Sequence, residues 1–226
     1  MPRRTLSKRA LRASALFGTL HTPTPDPLAR AREAALLLDA RLRPGEIALI
    51  VGPSGGGKSC TGRALVRHLW TSGLPAILVA GDAIIRARAA RRRAAVVDLF
   101  RSPLEDALGH LARAGLAEAA LLSRPWDALS EGQRARLAIA LGMEEAEQPG
   151  NTPRPATLIL DEFASTLDRT TAAAIARTVR RWAAHRSVRI VCITAHDDVM
   201  EWLAPSVVLE HPLSGPATIA RKGEAA

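Results

Sequence analysis

The sequence predicts an α/β domain with a mainly parallel sheet, and three observations carry that expectation. Apolar runs of strand length alternate with longer stretches of helical periodicity along most of the chain, the pattern of strand–helix–strand units. Apolar residues make up 47% of the 226 positions, enough for a sizeable core. A Gly-rich segment lies between one such apolar run and the helical stretch after it, a place where α/β folds cradle anions.

The elements follow in order. Residues 1–27 form a basic, Pro-rich extension: Arg3, Arg4, Lys8, Arg9 and Arg12 precede His21-Thr22-Pro23-Thr24-Pro25-Asp26-Pro27, which stops any helix. This composition is shared with organelle transit peptides, but no typical cleavage pattern accompanies it, so a basic tail is expected. Residues 28–226 are read as one domain. An Ala/Leu/Arg pattern predicts a helix over 28–42, Pro44-Gly45 a turn, and 46–51 a buried strand. After the Gly-rich loop at 52–57, a helix runs to about 70 and a strand covers 75–80. Residues 84–122 read as largely helical with a break near Ser102-Pro103, and a helix spans 130–142. Together, residues from about 84 to 142 form a helical subdomain. Residues 144–155 read as a polar loop. A strand at 156–160, a helix at 169–185, a strand at 188–194 and one or two short strands within 206–220 complete the chain.

The formal net charge of +9 is almost wholly Arg, because Lys occurs only at positions 8, 58 and 222. Such a balance suits nucleic acid or another anionic partner, but an Arg- and Ala-rich chain also reflects coding bias. Cys60 and Cys192 show neither CxxC nor metal-ligand spacing, which points to a reducing, cytoplasmic setting. No run of 18 or more apolar residues occurs.

Residues 52–59 read Gly52-Pro53-Ser54-Gly55-Gly56-Gly57-Lys58-Ser59, the GxxxxGK[ST] spacing, placed between a strand and a helix. Glycines let successive backbone N–H groups curl around phosphates, and the following helix aims its positive N-terminus at them. Lys58 offers a point charge for the β- and γ-phosphates and the Ser59 hydroxyl a ligand for Mg²⁺. With Cys60, the segment is read as the nucleotide-binding loop of a P-loop NTPase fold, taking ATP or GTP. Downstream, Thr157-Leu158-Ile159-Leu160 ends in Asp161-Glu162. A strand ending in two carboxylates sets them at the mouth of the sheet, Asp161 for the Mg²⁺ shell and Glu162 to polarise an attacking water.

Between these motifs stands Leu129-Ser130-Glu131-Gly132-Gln133. Ser130 and Gln133 also satisfy a capping box, so an ordinary helix start is an alternative reading. In position and composition the segment resembles the LSGGQ signature of the ABC ATPase superfamily, departing from it at Glu131. The resemblance covers about residues 40–212. It takes in the P-loop, the signature, Leu158-Ile159-Leu160-Asp161-Glu162, a D-loop at Ser165-Thr166-Leu167-Asp168, and a switch-histidine segment at Thr194-Ala195-His196-Asp197. It implies two domains docked head to tail, with MgATP between the P-loop of one and Ser130 and Gly132 of the other. Glu162 and His196 would act in catalysis, and Asp168 would work across the dimer. Taken singly, Asp168 also fits an N-cap and His196 a core histidine.

Four departures from the family pattern bear on function. No Gln occurs between Ser59 and Gln133, and Asp98 is the candidate to replace the family's metal-contacting Gln. The stretch between Lys58 and Ser130 is short, which implies a reduced helical subdomain. No aromatic precedes the P-loop at the usual adenine-stacking position, leaving Phe17, His21 or an arginine. Phe163 stands where the family usually has Pro, as in a less common branch with members fused to an acetyltransferase-like domain. Three functions follow in order of preference: an ATP-gated homodimeric clamp without membrane subunits, the ATP-binding subunit of a transporter with separate membrane chains, and a P-loop small-molecule kinase. The kinase reading would use Arg86, Arg88, Arg91, Arg92 and Arg93 as a phosphate lid. The same cluster with Arg177, Arg180 and Arg181 offers a weaker reading as a nucleic-acid groove.

Overall fold

The structure, a computed structural model, describes residues 7–16, 27–89, 93–147, 155–196, 198–213 and 215–223. Its centre is a six-stranded sheet in the order β2-β3-β4-β1-β5-β6. The strands are β1 (Ile47–Val51), β2 (Ala76–Val79), β3 (Thr157–Leu160), β4 (Arg189–Ile193), β5 (Val207–Glu210) and β6 (Thr218–Arg221). The first five in that sheet pair in parallel and β6 returns antiparallel on β5. The expectation of an α/β fold with a mainly parallel sheet therefore holds.

Both faces of the sheet are covered, and the residue alternation of β1 shows how. Ile47, Leu49 and Val51 point into one core, with Leu158, Leu160, Ile190 and Cys192. Ala48 and Ile50 point into the other, with Ile159, Val191 and Ile193. This near-continuous apolar run is what burial on both faces requires. Helices α2 (Pro27–Arg41) and α3 (Lys58–Thr71) cover the second face through Ala34, Leu38, Leu65 and Leu69. The other face carries α7 (Glu131–Glu147) and α8 (Arg169–Arg186), through Leu137, Leu141, Val179 and Trp182. Asp39 ties the second face together: Arg189 of β4 donates to it at 2.8 Å and it meets His68 of α3 at 3.0 Å.

Several boundaries differ from the sequence reading. The basic extension holds a helix, α1 (Lys8–Leu16), where good helix formers outweigh charge repulsion. The stretch over 84–122 is three short helices rather than one broken one: α4 (Ala83–Arg88), α5 (Leu104–Arg113) and α6 (Ala119–Leu122). Residues 93–103 between the first two are mostly extended or turned, with a single 3-10 turn at Val97–Leu99. Helix α7 continues to Glu147, past the expected loop boundary. Its acidic end is not solvated. Glu144 is 2% exposed and takes hydrogen bonds from Arg88, from the Arg101 and Ser102 backbone N–H groups and from the Ser102 hydroxyl. Trp182 donates its indole N–H to Glu147. A further short helix, α9 (Val199–Leu203), follows β4.

Candidate functional site

Parallel pairing sends the carboxyl ends of β1, β2, β3 and β4 to one edge, where α/β folds hold their ligands. Register makes the alignment close. Ile50 pairs with Ile193, Leu160 with Cys192, and Val79 with Leu160. The loops leaving these strands are the Gly-rich loop, Gly81-Asp82, Asp161-Glu162 and residues 194–196.

An open cleft of about 440 Å³ at this edge is lined by Ser54, Gly55, Gly57, Lys58, Ser59, Cys60, Asp161, Glu162 and His196. The sequence-derived candidates thus converge. The Ser59 hydroxyl donates to Asp161 Oδ1 at 2.9 Å. The Lys58 ammonium donates to the carbonyls of Gly52 at 2.7 Å and Pro53 at 2.9 Å, which holds it over the loop. The loop geometry needs glycine at one position above all. Gly52 has φ +134°, and a Cβ there would stand 2.1 Å from the His211 carbonyl oxygen. No side chain fits that approach.

The loop after β3 is strained in a directed way. Glu162 and Ala164 both have positive φ, 56° and 65°. Phe163 between them is 2% exposed in the core, and its N–H donates to the Ile193 carbonyl at 2.8 Å. A buried anchor and a backbone bond over-determine the turn, so Glu162 stays exposed at the cleft. A proline at position 163 would have no N–H for that bond, so the connection to β4 needs a residue such as Phe163 there.

The signature-like segment starts α7. Ser130 N–H donates to Gln133 Oε1 at 2.9 Å and Gln133 N–H to Ser130 Oγ at 3.2 Å. The capping box is therefore formed, and Ser130 is exposed. Leu129 is buried, Glu131 is exposed, and Gly132 packs on the loop after β3: a Cβ there would lie 3.2 Å from the Thr166 carbonyl oxygen. Asp168 caps α8, accepting from the Thr171 N–H at 2.9 Å. The Thr171 hydroxyl and N–H hold its carboxyl below the usual range. His196 is exposed, and its N–H donates to the Thr194 hydroxyl at 3.1 Å; a core position for this histidine is not what the structure shows. Phe17, His21, Arg91, Arg92 and Asp197 lie outside the described residues.

Asp98 is not brought to this site. It sits exposed on the 3-10 turn at Val97–Leu99 and borders neither of the two clefts that Asp161 lines. Asp82 lies there instead. It follows β2, the strand beside β3, and shares a second cleft of about 280 Å³ with Asp161, Glu162, Glu131 and Arg134. Of the arginines that the kinase reading would use as a lid, Arg93 is exposed and two others are held by carboxylates. Arg86 pairs with Asp82 at 2.8 Å, and Arg88 is 5% exposed between Glu144 and Glu145.

Sequence reasoning missed the support under the phosphate loop. Thr61 and His211 are buried and meet at 2.8 Å between Oγ1 and Nε2. Burial lowers the His211 imidazole below the usual histidine range, with Arg30 and Lys58 pushing the same way. As for Mg²⁺, the cleft offers it two oxygen ligands already in contact, a hydroxyl and a carboxylate, which is the donor chemistry the ion takes.

Solved structures share this fold. A bacterial ABC transporter cassette, MJ0796, solved as a dimer, matches with a TM-score of 0.61 at 17% identity, over 80% of this chain and 87% of that one. Its post-hydrolysis dimer bound to ADP and Pi matches at 0.59 and 16%, over 80% and 87%. The cbiO1 protein of Clostridium perfringens, part of the ABC transporter complex cbiONQ, matches at 0.54 and 18%, over 80% and 78%. No family profile and no curated protein matches the chain. The fold is therefore the P-loop fold of ATP-binding cassettes. The branch with acetyltransferase-like fusions finds no support among these matches.

Proposed function

We propose that residues 28–226 form an ABC-type ATPase domain that binds MgATP and hydrolyses it at a composite site between two copies docked head to tail. The observation that carries this reading is the Ser59–Asp161 hydrogen bond, in a cleft that Lys58, Glu162 and His196 also line. Residues 52–60 bind the phosphates. Ser59 and Asp161 would hold Mg²⁺, which when bound would neutralise phosphate charge. Glu162, exposed at the cleft, accepts the proton of the attacking water. His196 contacts the γ-phosphate from the end of β4. Leu129 to Gln133 of the second copy close the site, with Ser130 and the N–H groups of the first turn of α7 facing the γ-phosphate. Asp168 works across the same interface. Glu131, in place of the family's glycine, adds an acidic group to that surface.

The clamp reading and the transporter reading share this chemistry. A clamp needs only a second copy, and the missing Gln of the family's coupling loop favours it. The likeness to transporter cassettes favours separate membrane subunits as the second reading. Among the described residues no helix is long and apolar enough to cross a membrane. Phosphate release from MgATP tests the activity. Glu162→Gln lowers the rate about 10²–10⁴-fold with ATP binding retained; an unchanged rate contradicts the assignment.

A further inference from the structure

A second groove adjoins the phosphate cleft. It lies between α2 and α3, encloses about 620 Å³, and is lined by Leu28, Leu36, Arg32, Arg63 and Arg67. Cys60 lines both this groove and the phosphate cleft, so the two are continuous at the start of α3. The helices run the same way. Arg30, early in α2, donates to the Pro212 carbonyl, next to the residue that packs on Gly52. Asp39, late in α2, meets His68, late in α3. Their N-terminal ends therefore flank the phosphate loop together.

The chemistry of the groove is specific. Leu28 and Leu36 are each 52% exposed, an unusual pair for one helix of a packed layer. Beside them, Arg32, Arg63 and Arg67 have no hydrogen bond or ion pair among the described residues. The volume falls within the roughly 300–1,000 Å³ of small-molecule clefts. Among the described residues no Phe or Trp lines the groove. Phe100 stacks on His110, Phe163 and Trp182 are in the core, Trp126 and Trp202 pack against it, and Trp70 is about 15 Å of helix rise beyond Cys60.

We propose that the groove between α2 and α3 is the nucleoside subsite, in which the base and ribose lie against Leu28 and Leu36 under the guanidinium groups of Arg32 and Arg63. The inference rests on the ATP-binding reading above. Arg63 is one helical turn from Cys60, about 4.5 Å of rise, so a nucleotide with its phosphates on the loop reaches it. A guanidinium stacks on a purine face and also donates to ribose oxygens, so two arginines replace an aromatic residue.

Calorimetry on the full chain separates base from phosphate by comparing MgATP with magnesium tripolyphosphate. Salt at about 0.3 M screens general charge effects beyond several ångströms. The wild type binds MgATP more tightly than tripolyphosphate. The double variant Arg32→Ala/Arg63→Ala weakens MgATP about tenfold and leaves tripolyphosphate unchanged. Leu36→Glu, which sets a carboxylate in the groove, acts in the same direction. If both ligands weaken equally, or MgATP binds as before, the subsite is overturned while phosphate binding stands. If the wild type binds neither ligand, the ATP reading itself falls, and the subsite with it.

Discussion

The Ser59 hydroxyl donates to Asp161 across 102 positions of sequence, joining the helix after β1 to the end of β3 at 2.9 Å. Neither strand neighbours the other directly; β4 lies between them. The contact exists because parallel pairing through β4 brings both carboxyl ends to one edge. Replacing Asp161 with Asn keeps the hydrogen bond and removes the charge. The variant loses metal affinity by at least about 10-fold while its melting temperature stays close to that of the wild type. A magnesium titration of ATP hydrolysis reads the shift, and an unaltered titration contradicts the metal role.

Gly52 and Gly55 make a matched pair. Both have positive φ, but a Cβ at Gly52 meets the His211 carbonyl at 2.1 Å whereas nothing lies within 4 Å of one at Gly55. Gly52→Ala costs about 2–4 kcal/mol of stability and nucleotide binding with it, while Gly55→Ala costs only the left-handed strain of roughly 1 kcal/mol. Urea unfolding of the two variants distinguishes them; equal costs would contradict the close approach.

Arg88 and Glu144 are a buried pair. Burial pushes the Glu144 carboxyl up, but hydrogen bonds from Ser102, Arg88 and the Arg101 backbone outweigh it and hold the group below the usual range. Glu144→Ala leaves Arg88 with Glu145 and the Leu99 carbonyl and frees two backbone N–H groups, at a cost of about 3 kcal/mol. The double variant Arg88→Met/Glu144→Leu is less destabilised than the sum of its parts. Additive effects in that cycle would contradict the pairing.

His211 sets an acid limit on stability. Its folded pKa lies below the ordinary 6.5 because of burial and the positive charges of Arg30 and Lys58. The unfolded chain therefore takes up its proton first, and stability is lost as pH falls below about 6.5. His110 is shifted in the same direction by burial, against the pull of Glu147, so it contributes in the same window. Melting temperatures at about pH 7.5 and about pH 5.5 show a smaller fall for His211→Gln than for the wild type. Parallel falls would contradict the role of this imidazole.

The legible part of the fold and site was the part written in contiguous residues. The strands around the Gly-rich loop and Asp161 were recoverable because each is a short apolar run with its chemistry at one end. Asp82 was not, because its place depends on β2 lying beside β3, a sheet order that no local pattern encodes. The position of Asp98 near the middle of the intervening stretch suggested a role beside Asp161, but the 3-10 turn leaves it exposed and outside both clefts that Asp161 lines. The acids at the end of α7 looked solvated, since a glutamate with a buried arginine partner reads no differently from one facing water. The Thr61–His211 contact was hidden for the same reason: two unremarkable polar residues meet only once β5 pairs with β1.

The composite site is tested most directly by the solution mass of Glu162→Gln with and without MgATP. On the proposed mechanism the substitution removes the general base while leaving the phosphate loop intact, so ATP would be held between two copies. The account predicts a mass that doubles on adding MgATP and a return to single copies when Ser130→Arg is added. A Glu162→Gln protein that binds MgATP yet keeps the mass of one copy at every concentration would contradict it.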